Sequence, residues 1–175
     1  MKKILLFTVL LGFSYYGFSQ DVKFGVRGGY NISNLDFDGT PQIENKHRNS
    51  FYIGFLADIG LSDAVSFIPE LQFSAEGAKE EDLNLDYIQM PLFFNFKIIE
   101  KVHLGLGPQI GLKVHKFEDG VKNFAYSGVA GIQVKLSHVL FADCRYTYGF
   151  TNVFDDHLSV EAKNTNIQIG VGYKF

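Results

Sequence analysis

The stretch NTNIQIGVGYKF, Asn164–Phe175, alternates residue by residue between two kinds of side chain. Thr165, Ile167, Ile169, Val171, Tyr173 and Phe175 form one set, and Asn166, Gln168, Gly170, Gly172 and Lys174 the other. A period of two places such sets on opposite faces of a strand. The alternation runs up to the terminal aromatic with no loose polar tail, as expected of a last strand that closes a sheet against the first.

The same pattern recurs along the chain, eight times in all. VKFGVRGGYNI (22–32) sets Val22, Phe24, Val26, Gly28, Tyr30 and Ile32 against Lys23, Gly25, Arg27, Gly29 and Asn31. Further strands are expected near 51–60, 65–74, 86–97, 102–113, 125–136 and 139–150. In the fifth, Leu104, Leu106, Ile110 and Leu112 oppose Gly105, Gly107, Gln109 and Gly111; in the seventh, Leu140, Ala142, Cys144, Tyr146 and Tyr148 oppose Phe141, Asp143, Arg145, Thr147 and Gly149. The connections alternate too. Long polar loops (33–50, 75–85, 114–124, 151–164) follow odd-numbered strands, and short turns (LSDA 61–64, IIEK 98–101, SH 137–138) follow even-numbered ones. Long loops at one end and tight turns at the other describe an all-β, eight-stranded, up-and-down antiparallel transmembrane β-barrel.

Alternation alone also fits a soluble secreted barrel with its apolar face inward. Three features favour the membrane form. The polar face is rich in Gly and carries charges of mixed sign (Lys23, Arg27, Asp58, Glu70, Asp143, Arg145), which suits a crowded lumen. Aromatics collect near strand ends, where membrane-interface girdles lie. Tyr30, Tyr87, Tyr126, Tyr148 and Phe150 are expected at the outer rim, and Phe24, Phe67, Phe94, Phe96, Tyr173 and Phe175 at the inner one. The third feature is the closing strand itself. Pro69, Pro91 and Pro108 fall inside strands and lack the donor a closed sheet uses, so bulges, or backbone groups paired with lumen side chains or water, are expected there.

The front end reads as an export signal, MKKILLFTVLLGFSYYGFSQ. Lys2 and Lys3 precede an apolar run from Ile4 to Phe13, and the small residues Gly17 and Ser19 set a cleavage site before Gln20. The run is too short for the ~20 residues of a membrane helix. Residues 1–19 are thus assigned to a signal peptide and 20–175 to one barrel domain. Without Lys2 and Lys3 the chain carries 14 basic and 19 acidic side chains, a balance that argues against nucleic acid. Cys144 is the single cysteine, so no internal disulfide and no cysteine-based zinc site is available.

FGVRGGYNISNL (24–35), IPELQFSAEGAK (68–79), DYIQMPLFFNFK (86–97), GLGPQIGL (105–112), CRYTYGFTNV (144–153) and IQIGVGYKF (167–175) resemble, in order, the strand motifs of the small outer-membrane β-barrel proteins grouped with PorT. The resemblance covers essentially the whole chain after the signal. It implies an eight-stranded barrel in the outer membrane, and little about activity, since most members have no assigned task and the named one takes part in a secretion apparatus. Gln89 stands where the resemblance leads one to expect an acid, which puts an ion pair at that position in doubt. A terminal aromatic of this kind also resembles the signal read by the barrel-assembly machinery, giving Tyr173 and Phe175 a sorting role beside interface anchoring.

Candidate chemistry concentrates in the lumen. Arg27, Glu70, Asp143 and Arg145 all point inward in this phasing and should pair, either as a structural plug or as an ion path. Eight strands enclose a space that side chains just fill, which favours the plug. In the loops, DFDG (36–39) resembles the start of a calcium loop but lacks the later ligands; KEED (79–82) and DDH (155–157) are acidic tips. His47 and Ser50 share a loop with Asp36 and Asp38, without the strained Gly-x-Ser-x-Gly turn of a nucleophile elbow. His103 is expected to face the lumen near the short-turn end, and His138 to sit in a tight turn. The sequence therefore reads as a non-enzymatic outer-membrane barrel without cofactor or metal, of structural or partner-binding type, as in an envelope or secretion assembly. A narrow passive channel is the alternative. Its expected partners are outer-membrane lipids and lipopolysaccharide, the assembly machinery during biogenesis, and a protein at the loops or periplasmic rim.

Overall fold

The computed structural model describes residues 22–37, 46–80, 83–114, 120–154 and 161–175. The signal segment, DDH, and parts of DFDG and KEED lie outside them. Eight strands follow one another: β1 (Val22–Phe37), β2 (Arg48–Gly60), β3 (Val65–Gly77), β4 (Asn84–Lys97), β5 (Val102–Lys113), β6 (Phe124–Lys135), β7 (Leu140–Gly149) and β8 (Ala162–Lys174). Each pairs antiparallel with its neighbours, and β1 pairs with β8, so the sheet is a closed barrel.

Closure runs from Gly25 opposite Lys174 to Phe37 opposite Ala162. The Phe175 amide extends it by donating to the Phe24 carbonyl at 2.8 Å. The quoted C-terminal stretch is thus the partner of the first strand. Its period-two pattern continues into the opposite strand without a break, because residues directly across an antiparallel ladder share a face.

Two short turns share a device. In Leu61–Val65 and Leu136–Leu140 the first two amides donate to the carbonyl of the residue that starts the next strand. Ser62 Oγ accepts from the Ala64 and Val65 amides, and Ser137 Oγ from the Val139 and Leu140 amides. Serine therefore satisfies donors that the tight reversal leaves unpaired. The Ile98–Val102 turn has the same backbone bonds without the serine.

The strands extend beyond the expected segments mainly at the long-loop end, where β1 reaches Phe37, β2 starts at Arg48, β3 reaches Gly77 and β8 starts at Ala162. The prolines do not introduce bulges. The β3–β4 register is the same on both sides of a gap at Glu70–Leu71 and Met90–Pro91. The β4–β5 register likewise resumes unchanged beyond Leu92–Phe93. A missing donor removes rungs locally without adding a residue to either strand, so facing is preserved.

Outward positions are large and apolar: Phe55 is 67% exposed, Ile53 60%, Leu106 58% and Val171 60%. Such a continuous apolar exterior has no place in water. Inward positions are mostly polar or glycine, with apolar side chains gathered in two clusters. At several glycines a bulky side chain from a nearby strand takes the space a Cβ would fill: the Phe93 ring (β4) at Gly105 (β5), the Phe141 ring (β7) at Gly172 (β8) and the Tyr52 hydroxyl (β2) at Gly170 (β8). Tyr87 corrects one expectation. It is not part of the outer girdle but is 1% exposed, sharing the inward parity of Gln89 and Phe93. Tyr30, Tyr126 and Phe150 do face outward.

Gly105→Ala is expected to force the Phe93 ring aside and destabilise the barrel by about 1–3 kcal/mol. Gly111→Ala, on the same strand face, is expected to be tolerated, since a Cβ there meets its neighbours at 3.4 Å or more. Urea midpoints in detergent, read by the heat-dependent band shift of folded barrels, separate the two.

Candidate functional site

From the short-turn end upward, the lumen is layered. A polar mouth gives way to an apolar ring of Leu56, Ile68, Phe93, Val129 and Phe141. Next comes a charged layer, then a carboxamide layer around Glu76. The long-loop end is covered by a second apolar cluster of Leu35, Ala78, Leu83, Leu85, Tyr87, Val121, Val153 and Ala162.

The structure brings Arg27 (β1), Glu70 (β3), Asp143 and Arg145 (β7) together in the charged layer. Arg27 donates from Nε to Asp143 Oδ2 at 3.1 Å and from its terminal nitrogens to Asp143 Oδ1 at 2.8 Å, Gln72 Oε1 at 2.9 Å and the Tyr52 hydroxyl at 3.0 Å. Longer contacts of 3.3 Å reach Glu70 and Gln168. Arg145 grips Glu70 with two bonds, 2.9 and 2.8 Å, and approaches Asp143 at 3.5 Å. All four side chains are at most 1% exposed. The two guanidinium groups balance the two carboxylates. Each also lies against an aromatic ring, Arg27 over Tyr52 at 4.4 Å and Arg145 over Phe93 at 4.2 Å. Planar, forked guanidinium is the group that can satisfy several such acceptors at once.

Above this layer Glu76 is 0% exposed. Its carboxylate accepts from Ser74 Oγ, Gln89 Nε2, Asn164 Nδ2 and Asn166 Nδ2. Gln89, at the position where an acid was expected, acts through neutral hydrogen bonds, donating to Glu76 at 3.0 Å and accepting from Gln72 at 2.8 Å. The space left beside Glu76 is about 20 Å³, the size of one water. The sequence pattern places Glu76 in the 75–85 loop, whereas it lies in β3. The alternation Glu70, Gln72, Ser74, Glu76 shows that β3 simply continues inward-facing to the end, and extending the period by one step would have found it. Tyr52 and Phe93, which flank the two arginines, gave no separate signal, since aromatics serve either face of a barrel strand.

The other sequence candidates sit apart. Ser50 lies in β2, where its hydroxyl donates to the Ala75 carbonyl at 2.6 Å. His47 forms a bridge with Ala78, and Asp36 pairs in register with Lys163. Among the described residues no group of three or more His, Cys, Asp or Glu side chains gathers as a metal site. Tyr173 and Phe175 face outward at the barrel seam, ring centroids 6.4 Å apart.

An exterior this apolar on a closed sheet, around a lumen filled by paired charges, defines a small transmembrane β-barrel. The chain belongs to the outer membrane protein beta-barrel domain family, whose model matches residues 18–155. Among solved structures it is similar to Ail, the attachment invasion locus protein of Yersinia pestis, at 19% identity and TM-score 0.57, over 87% of this chain and 98% of that one. It is also similar to Neisserial surface protein A at 13% identity and TM-score 0.60, over 87% and 97%. A de novo designed transmembrane β-barrel superposes with TM-score 0.50 at 10% identity, over 87% of this chain and 95% of the design. No curated protein sequence matches. Identities this low establish the shared barrel alone. The protein is a small outer-membrane β-barrel; in barrels of this kind the short turns face the periplasm.

Arg145→Met leaves a net negative charge in the plug and is expected to cost about 3–5 kcal/mol. Restoring neutrality in Arg145→Met/Glu70→Met should recover much of that loss. Urea unfolding in a common detergent compares these two variants with Glu70→Met and the unaltered protein; a double variant as unstable as the summed single variants would refute charge balance as the cause.

Proposed function

We propose that this is a non-conducting barrel that acts through its surfaces, binding a partner at its outer loops or periplasmic rim, or stabilising an envelope assembly. The observation that carries this reading is the charged layer. Two arginines locked by Glu70 and Asp143 fill the middle of the lumen, with an apolar ring below and an apolar cluster above. A permeating ion would have to displace side chains whose charges are paired with one another, and crossing the apolar layers would strip its water. That weighs against the passive channel.

Within the family, the ordered motifs point to the PorT-like group, which favours a role in a secretion or envelope complex over an isolated one. An enzymatic role lacks support, since the Ser50 hydroxyl is committed to the Ala75 carbonyl. The proposal includes export through residues 1–19 and a sorting role for Tyr173 and Phe175 at the seam.

Planar-bilayer recording on the refolded protein should show no steady conductance, and Arg27→Ala or Asp143→Ala should open or destabilise the lumen rather than tune an existing selectivity. Regular single-channel steps in the unmodified protein would overturn the reading. Extraction of the tagged protein from its native outer membrane in mild detergent should bring a stoichiometric partner with it, and shortening the responsible loop should release that partner. Sequencing the N-terminus of the same material should start at Gln20.

A further inference from the structure

The periplasmic mouth is built unlike the rest of the lumen. Below the apolar ring lies a cavity of about 310 Å³ whose lining includes Lys23, Asp58, Asp63, Asn95, Lys97, His103, Gln133, Lys135 and Lys174. Four lysines face two aspartates there, in a chain whose overall charge is negative. In the charged layer charge is balanced pair by pair. Here it is not: Lys174 Nζ meets Asp58 at 2.6 Å, while the ammonium groups of Lys97 and Lys135 make no ion pair with any described residue.

The register explains the convergence. Lys97, His103 and Gln133 stand directly across the β4–β5 and β5–β6 ladders from one another. Lys23 stands across from Asp58. All have inward parity, so the final inward position of several strands delivers cations to one vestibule. The apolar ring closes its inner end and makes it blind.

A second, independent feature marks the vestibule as a site. Gln133 is 1% exposed, yet neither atom of its amide has a hydrogen-bond partner; His103 Nδ1 is unpartnered at 6% exposure, and Asn95 Oδ1 at 2%. Buried polar groups are ordinarily satisfied, and each one that is not costs free energy comparable to a lost bond. Among these orphaned atoms Asn95 Oδ1 and Gln133 Oε1 can only accept, but Gln133 Nε2 donates, and in a cationic cavity such a donor suits a ligand that accepts hydrogen bonds. Gln133 Nε2, and His103 Nδ1 when it carries the ring proton, supply directed donors. The lysines supply mobile point charges of the kind that bind phosphate.

We propose that the vestibule binds a phosphate-class oxyanion, entering from the periplasmic side and held by Lys97 and Lys135 with Gln133 and His103 beneath it. The cavity is large enough for a phosphate with its remaining water, since one water occupies about 30 Å³ of liquid. Its blind end excludes a threaded polymer. Two sources offer the same chemistry, free phosphate and the headgroup of a phospholipid in the inner leaflet. Exposed apolar turn residues at the same rim, Leu61, Ile98, Ile99 and Leu136, put such headgroups within reach.

Calorimetric titration of the folded full-length barrel with inorganic phosphate, in a phosphate-free detergent, addresses the first source. Native mass spectrometry of barrel released from phosphatidylglycerol nanodiscs addresses the second. Saturable phosphate binding, or a retained phospholipid, is expected in the unaltered protein. Lys97→Gln/Lys135→Gln should weaken it about tenfold or more, the worth of a lost charge-assisted bond. Lys97→Arg/Lys135→Arg should keep it, and the heat-dependent band shift should show both variants folded. Phosphate alone identifies the soluble source, and retained lipid alone the headgroup. No ligand in either format, or binding unchanged in the glutamine variant, would overturn the proposal.

Discussion

Everything in this molecule depends on the absence of water around its outer wall. A backbone amide or carbonyl facing hydrocarbon has no partner unless the protein supplies one, and each orphan costs several kcal/mol. The ladder therefore has to close, and β8 meets β1 along nearly its whole length. Once closed, the sheet has a lipid side and a lumen side, and period-two alternation assigns every side chain to one of them. The prolines show how strict this is. Rungs are lost near Pro69 and Pro91, yet the register resumes unchanged, because a one-residue slip would turn every later apolar side chain into the lumen.

Closure in turn creates the interior problem that the charged layer solves. Eight strands leave room for side chains and little else, and that room is lined by polar groups cut off from solvent. Arg27 and Arg145 satisfy this lining by reaching across the barrel to β2, β3, β7 and β8 at once. They are neutralised in place by Glu70 and Asp143 and flanked by Tyr52 and Phe93. Beside these large groups the wall carries Gly105 and Gly170, where the Phe93 ring and the Tyr52 hydroxyl take the space a Cβ would fill, as the Phe141 ring does at Gly172. Glu76 is held differently, by four neutral donors. The mouth is held differently again, with cations in excess and amide groups unsatisfied. Pairwise charge balance thus characterises the charged layer, and its failure at the periplasmic end is what marks that end for a ligand.

Much of this was legible in the residues alone. Eight alternating runs, and loops that are long and short by turns, led to the strand count, the facing and the closed topology. They also put Arg27, Glu70, Asp143 and Arg145 in one lumen. Where the reading failed, local sequence was ambiguous. Tyr87 was counted in the outer girdle because an aromatic near a strand end usually anchors at an interface, but parity with Phe93 turns it inward. Glu76 was given to a loop because an acidic, glycine-containing stretch resembles one. The prolines suggested bulges because their cost is local, whereas register is fixed by the whole strand.

Alternation of side-chain type is a property of neighbours in the chain, and it decided which residues share a face of a strand; the glycine-rich, mixed-charge polar face and the aromatics at strand ends pointed to a membrane barrel. Which inward residues meet is a property of the shear and closure of the sheet, and it was decided only on folding. The bidentate grip of Arg145 on Glu70 joins residues 75 positions apart, and the vestibule gathers its lysines from four strands. No local pattern encodes such distances, because they arise from the stagger of all eight strands at once.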